Sequence, residues 1–74
     1  MYWLNVDFPN KTCTLHRQDC TWKPRKEPQY KGFGNLKRDG GWLSFKSVGE
    51  AESDYRGNWQ GQGYKWISCS ACAP

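Results

Sequence analysis

"KTCTLHRQDC", residues 11–20, is the stretch on which the fold turns. Its first six residues, Lys11 to His16, mix β-branched and apolar types and predict a strand. Side chains alternate along a strand, so Cys13 and Leu15 fall on one face while Thr14 and His16 fall on the other. His16, the chain's one histidine, is thereby set apart from Cys13. It pairs instead with Cys20, across three residues that suit a turn leaving the strand. Cys13 is expected to be a small buried apolar residue.

Working outward, residues 2–6 (YWLNV) alternate and predict a strand, with Tyr2, Leu4 and Val6 opposed to Trp3 and Asn5. Asp7-Phe8-Pro9-Asn10 suits a turn, so the first two strands are expected to form a hairpin. Residues 42–46 (WLSFK) and 64–68 (YKWIS) predict two further strands. Between them, Ser47-Val48-Gly49-Glu50 matches a capping box, in which Ser47 accepts from the Glu50 N–H and Glu50 reaches back to the Ser47 N–H. Val48, Ala51 and Tyr55 share one face, and Gly57 is a natural stop, which predicts a short helix over 48–56. Residues 57–63, rich in glycine, predict turns. Residues 23–41 carry two prolines and four glycines and predict a long loop, with a short strand around Tyr30 to Phe33. The expected fold is α+β: one domain over 1–74, a small antiparallel sheet with one short helix.

The chain is short. With 74 residues it buries only roughly 60% of its unfolded surface, and domains of this size commonly need a disulfide, metal or partner staple. Aromatics make up 16%, including five Trp, so large rings must build the core. Trp3, Trp42 and Trp66 lie on predicted strands and are expected in the core. Trp22 and Trp59 lie in predicted loops and are the candidates for the surface. No secretory signal and no membrane-length apolar run are recognisable, so the expectation is a cytoplasmic protein without a membrane partner. In a reducing compartment four cysteines point to metal ligands or free thiols before disulfides.

Cys69-x-x-Cys72 supplies the counterpart to His16-x3-Cys20. Two thiolates two residues apart in a tight turn reach one ion together, and tetrahedral Zn²⁺ takes four Cys or His ligands. His16, Cys20, Cys69 and Cys72 are therefore the expected ligands of one structural Zn²⁺. Three other chemistries compete for these residues. Redox CxxC motifs begin a helix, and none follows here. Two disulfides require export. His16 as a catalytic base has Asp19 nearby but no nucleophile pattern.

The order of Phe45-x-Ser47, Glu50-Ala51, Gly63-Tyr64 and Cys69-x-x-Cys72 resembles the metal-binding domain of the Ada DNA-repair proteins, over about residues 12–20 and 42–72. The resemblance implies a zinc scaffold held by His16, Cys20, Cys69 and Cys72. In that family the first residue of the upstream pair is a methyl-accepting thiolate. His16 stands in that place and an imidazole is not such an acceptor, so methyl transfer is not expected and the chain is not read as an enzyme.

The net charge is +4, and all of the excess lies in residues 23–41, where six bases face two acids. Lys23, Arg25, Lys26, Lys31, Lys37 and Arg38, with Tyr30 and Phe33 interleaved, are the expected nucleic-acid-binding residues. Cations neutralise phosphates and rings stack on unpaired bases. The leading expectation is a zinc-stabilised nucleic-acid-binding module. The competing one is a protein-interaction or inhibitor module acting on a larger enzyme, with zinc purely structural.

Overall fold

A computed structural model describes residues 1–20, 24 and 26–72. Five strands form one sheet: β1 (Tyr2–Asp7), β2 (Thr12–Arg17), β3 (Gly32–Phe33), β4 (Gly40–Phe45) and β5 (Lys65–Ser68), in the order β3-β4-β1-β2-β5. One helix, α1 (Val48–Asn58), joins β4 to β5. No helix among the described residues is long and apolar enough to cross a membrane.

β1 and β2 form the expected hairpin, with Trp3 opposite His16 and Leu4 opposite Leu15. Its turn is tightened by Asp7, whose carboxylate accepts from the Asn10 backbone and side chain. The sheet, however, is mixed and not antiparallel. β1 is antiparallel to both β2 and β4, while β2–β5 and β3–β4 are parallel. For β2–β5 the cause is α1: a helical crossover brings the chain back in the direction it left, so β5 runs alongside β2 in the same sense.

α1 begins as expected and ends later. Ser47 is extended (φ −145°, ψ 162°) and its hydroxyl accepts from the Glu50 N–H. Glu50 reaches back one residue further than the capping box requires, accepting from the Lys46 N–H at 3.0 Å. Gly57 does not stop the helix, because it lies inside it and Trp59 is the C-cap. A 3₁₀ turn (Gln60–Gln62) follows and closes at Gly63, with φ 86°. The buried stripe is Ala51, Tyr55 and Trp59, whereas Val48 is exposed. Trp59 is thus a core residue and not a surface one. Spaced four residues from Tyr55, it extends the same helical face into what the glycines suggested was a turn.

Two layers result. On the helix side, Leu4, Val6, Cys13 and Leu15 are fully buried against Ala51, Tyr55 and Trp59, with Trp66 and Tyr64 packed around them. Tyr55 meets Trp66 edge-on at 5.3 Å and donates its hydroxyl hydrogen to the Tyr64 carbonyl. On the other side lie Trp3, Trp42 and His16. Trp42 is buried there and Trp3 is half-buried. The segment expected to be a long loop with a short strand around Tyr30 to Phe33 carries β3 and covers part of this side. Phe33 lies against Trp3 at 5.7 Å, and Asn35 sits where side chains on Gly32 or Gly41 would fall. Trp22, expected at the surface, lies outside the described residues.

Candidate metal centre

The parallel pairing of β2 and β5 creates the site. Strands running in the same sense end at the same edge of the sheet, so residues following β2 and β5 in sequence become neighbours in space. His16 is the second-last residue of β2. Cys20 follows in a turn whose N–H bonds to the Arg17 carbonyl at 3.1 Å. Cys69 directly follows β5 and continues the ladder, donating its N–H to the Leu15 carbonyl at 3.0 Å. Cys72 closes the next turn, where its sulfur accepts from the Arg17 N–H at 3.3 Å.

The four ligand atoms lie within 4.8 Å of one another. His16 Nδ1 is 3.4 Å from Cys20 Sγ, and Cys20 Sγ is 3.7 Å from Cys69 Sγ. Disulfide sulfurs stand about 2.05 Å apart, and all four cysteines are free thiols here. His16, Cys20 and Cys69 are buried, at 6%, 7% and 8% exposure, and Cys72 is half-buried. The arrangement is compatible with a metal site.

Protonation favours ligation. Burial holds the His16 imidazole below its ordinary pKa, hence neutral, with a nitrogen lone pair to offer. Burial pushes the Cys69 thiol up, but the backbone N–H groups of Cys72 and Ala71, with the Cys20 and Cys72 side chains, outweigh it and draw it below the ordinary cysteine range. Backbone donors aimed at a sulfur stabilise the thiolate. Cys13 is the opposite case. Burial, and then the charge of Asp54, push its thiol up to about 12. It faces the helix side, away from His16, as strand alternation requires. In the metal-loaded protein, iodoacetamide is expected to modify Cys72 first and Cys13 last, the order being read by peptide mass spectrometry. Early labelling of Cys13 contradicts its burial.

Two contributors to the site were not visible in the sequence. Trp42 packs on the His16 ring at 5.1 Å across the intervening strand β1. The Arg17 backbone serves Cys72 from 55 residues away. Neither leaves a local sequence signal, since both depend on strand order.

The expected nucleic-acid residues are dispersed by the fold. Lys23 and Arg25 lie outside the described residues. Lys26 is exposed. Lys31 is half-buried, donating to Asn5 Oδ1 at 2.9 Å and pairing with Asp7 at 3.5 Å. Lys37 pairs with Glu27 at 2.9 Å, and Glu27 also accepts from the Phe33 N–H. That N–H, and then Lys37, hold the Glu27 carboxyl below its ordinary pKa. Phe33 is packed on Trp3 and is not a free ring. Tyr30 stays exposed, with the Arg38 guanidinium 3.7 Å above its ring.

No family model matches the chain, and no curated protein or solved structure matches it either.

Proposed function

We propose that this chain is a zinc-stapled module that binds nucleic acid through residues 23–41, the zinc being structural. One observation carries the metal: the His16 Nδ1–Cys20 Sγ separation of 3.4 Å and the Cys20 Sγ–Cys69 Sγ separation of 3.7 Å are close to tetrahedral edges. Bonds of about 2.05 Å to nitrogen and 2.3 Å to sulfur give edges of roughly 3.6 and 3.8 Å. Three thiolates and one imidazole are also a donor set that soft, tetrahedral zinc prefers over hard cations. When bound, zinc supplies a cross-link between the ends of β2 and β5 and fills all four of its positions with protein. No open position is left for a substrate, and the Ada-type likeness agrees, since His16 stands where the reactive thiolate would be.

The nucleic-acid part rests on the charge excess of residues 23–41 and on the outward placement of Lys26, Tyr30 and Arg38. Lys31 and Lys37 are engaged by Asp7 and Glu27, while Arg38, paired with Asp39 through Nε and Nη2, keeps Nη1 outside that pairing, leaving at most four cations of the segment for phosphates. Binding to single strands should therefore weaken with salt with a log–log slope of about −3. A fluorescence titration across salt concentrations measures it. No binding at low salt removes the reading.

A second reading has its own observation. Leu36 is 43% exposed on the same segment as Tyr30, and three of the segment's cations are internally paired. That balance suits a protein partner, such as a larger enzyme on which the module acts as an accessory or inhibitor. Co-purification with one protein, insensitive to nuclease, favours it.

A further inference from the structure

The loop that bears Arg38 is fixed from several directions. Lys37 and Gly40 exchange backbone hydrogen bonds, Lys37 N–H to the Gly40 carbonyl at 2.7 Å and Gly40 N–H to the Lys37 carbonyl at 3.2 Å. Arg38 and Asp39 therefore occupy a two-residue reversal. The Asp39 N–H donates to the Tyr30 carbonyl at 2.9 Å, tying the reversal to the segment that carries the ring. The Phe8 N–H donates to the Asp39 carbonyl at 3.1 Å, tying it to the end of β1. Asp39 also takes two edges of the Arg38 guanidinium, Nε at 3.2 Å and Nη2 at 3.4 Å. The guanidinium plane is thus held over Tyr30, with its centre 3.7 Å from the ring centroid. Under this cover Tyr30 remains 40% exposed, and the Arg38 side chain is 67% exposed.

We propose that Tyr30 and Arg38 form a stacking platform for an unpaired base of single-stranded nucleic acid. The inference rests on the nucleic-acid reading above and names its substrate class. Two flat groups already in contact and held by hydrogen bonds lose little freedom when a third flat group is added. Base stacking on an aromatic or guanidinium plane needs no base-specific hydrogen bond, so it tolerates any sequence. It does require an open base face. In a duplex those faces are covered by neighbouring pairs, and a single protruding ring pair cannot reach them without unstacking the helix. Arg38 Nη1, outside the Asp39 pairing, is left to meet a phosphate. Phe33 is not part of the platform, because Trp3 occupies it.

The test uses the full zinc-loaded chain and labelled oligothymidylate of about a dozen residues, a length that spans one small binding surface. A duplex of the same length serves as comparison, with fluorescence anisotropy at low salt as readout. The single strand should bind more tightly than the duplex. Tyr30→Ala should weaken single-strand binding by roughly five- to 150-fold, the range expected for one lost stack. Tyr30→Phe should restore it, and duplex binding should be unmoved by either change. Metal stoichiometry and near-ultraviolet circular dichroism confirm that the variants are folded. Wild-type affinity retained in Tyr30→Ala, or a duplex bound as tightly as the strand, overturns the platform and leaves the broader nucleic-acid reading standing. A wild-type chain that binds neither probe overturns both.

Discussion

Stripping the metal with a strong chelator is expected to unfold the protein, and Cys69→Ser is expected to do the same without chelator. The core alone is small. Seven residues form the buried cluster on the helix side, and a core in a domain of this size supplies only roughly 3–5 kcal/mol. Structural zinc contributes about 10–16 kcal/mol in finger peptides. β5 has few other anchors: it is a four-residue edge strand held by its parallel ladder to β2 and by Trp66 packed on Tyr55, while Ile67 on it is exposed. A metal held by this cluster would join Cys20 and Cys69, 49 residues apart in sequence, at the end of that strand. Cys69 is the central choice for substitution, because it continues the β2–β5 ladder through its backbone and sits 3.7 Å from Cys20 through its sulfur. Native mass spectrometry should find one zinc on the wild type and none on Cys69→Ser. Cys13→Ala, which leaves all four proposed ligands in place, should keep one zinc and lose only part of the stability. A chelated protein that keeps its near-ultraviolet spectrum and its cooperative melt would show that the cluster is not the staple.

How much of this was legible beforehand depends on the range over which each signal acts. The cluster of His16, Cys20, Cys69 and Cys72 was legible because its pieces are local: a strand that carries His16 near its end, a turn to Cys20 and a CxxC turn. Alternation within β2 alone separated His16 from Cys13, and the buried Cys13 on the opposite face bears this out. The reason the two pairs meet was not legible. It needs β5 to be parallel to β2, and strand direction is decided by the crossover of α1, not by the residues of either strand. Trp59 was misplaced because glycines on both sides suggested a turn, whereas burial of a large ring on the Tyr55 face outweighed their cost to the helix. The segment 23–41 suggested an open basic loop because charge is counted residue by residue. Its cations find Asp7, Glu27 and Asp39 only once the chain is folded, and Phe33 finds Trp3.

The glycines at the start of β4 also gained a different meaning, and Gly40→Ala is expected to be among the most damaging single changes outside the metal site. Gly40 has φ +116°, a backbone conformation that side chains disfavour. Holding a non-glycine residue there costs roughly 1–3 kcal/mol. A methyl group at this position would also run into the carbonyl oxygen of Val6. That oxygen is backbone of the adjoining strand, and Val6 is fully buried, so neither can yield cheaply. Overpacking of this kind adds roughly 1–3 kcal/mol. The combined loss, about 2–6 kcal/mol, is comparable to what the core supplies. It would also loosen the Lys37–Gly40 reversal and with it the Arg38 contact on Tyr30. Gly57→Ala is the matching control. Gly57 lies in α1, has negative φ and nothing within 4 Å of a new methyl group. Alanine there should stabilise by roughly 0.5–1 kcal/mol. Urea denaturation of both variants in excess zinc separates the two cases. If Gly40→Ala unfolds at the wild-type midpoint, β4 does not approach Val6 as described, and the reversal that positions Arg38 must be redrawn.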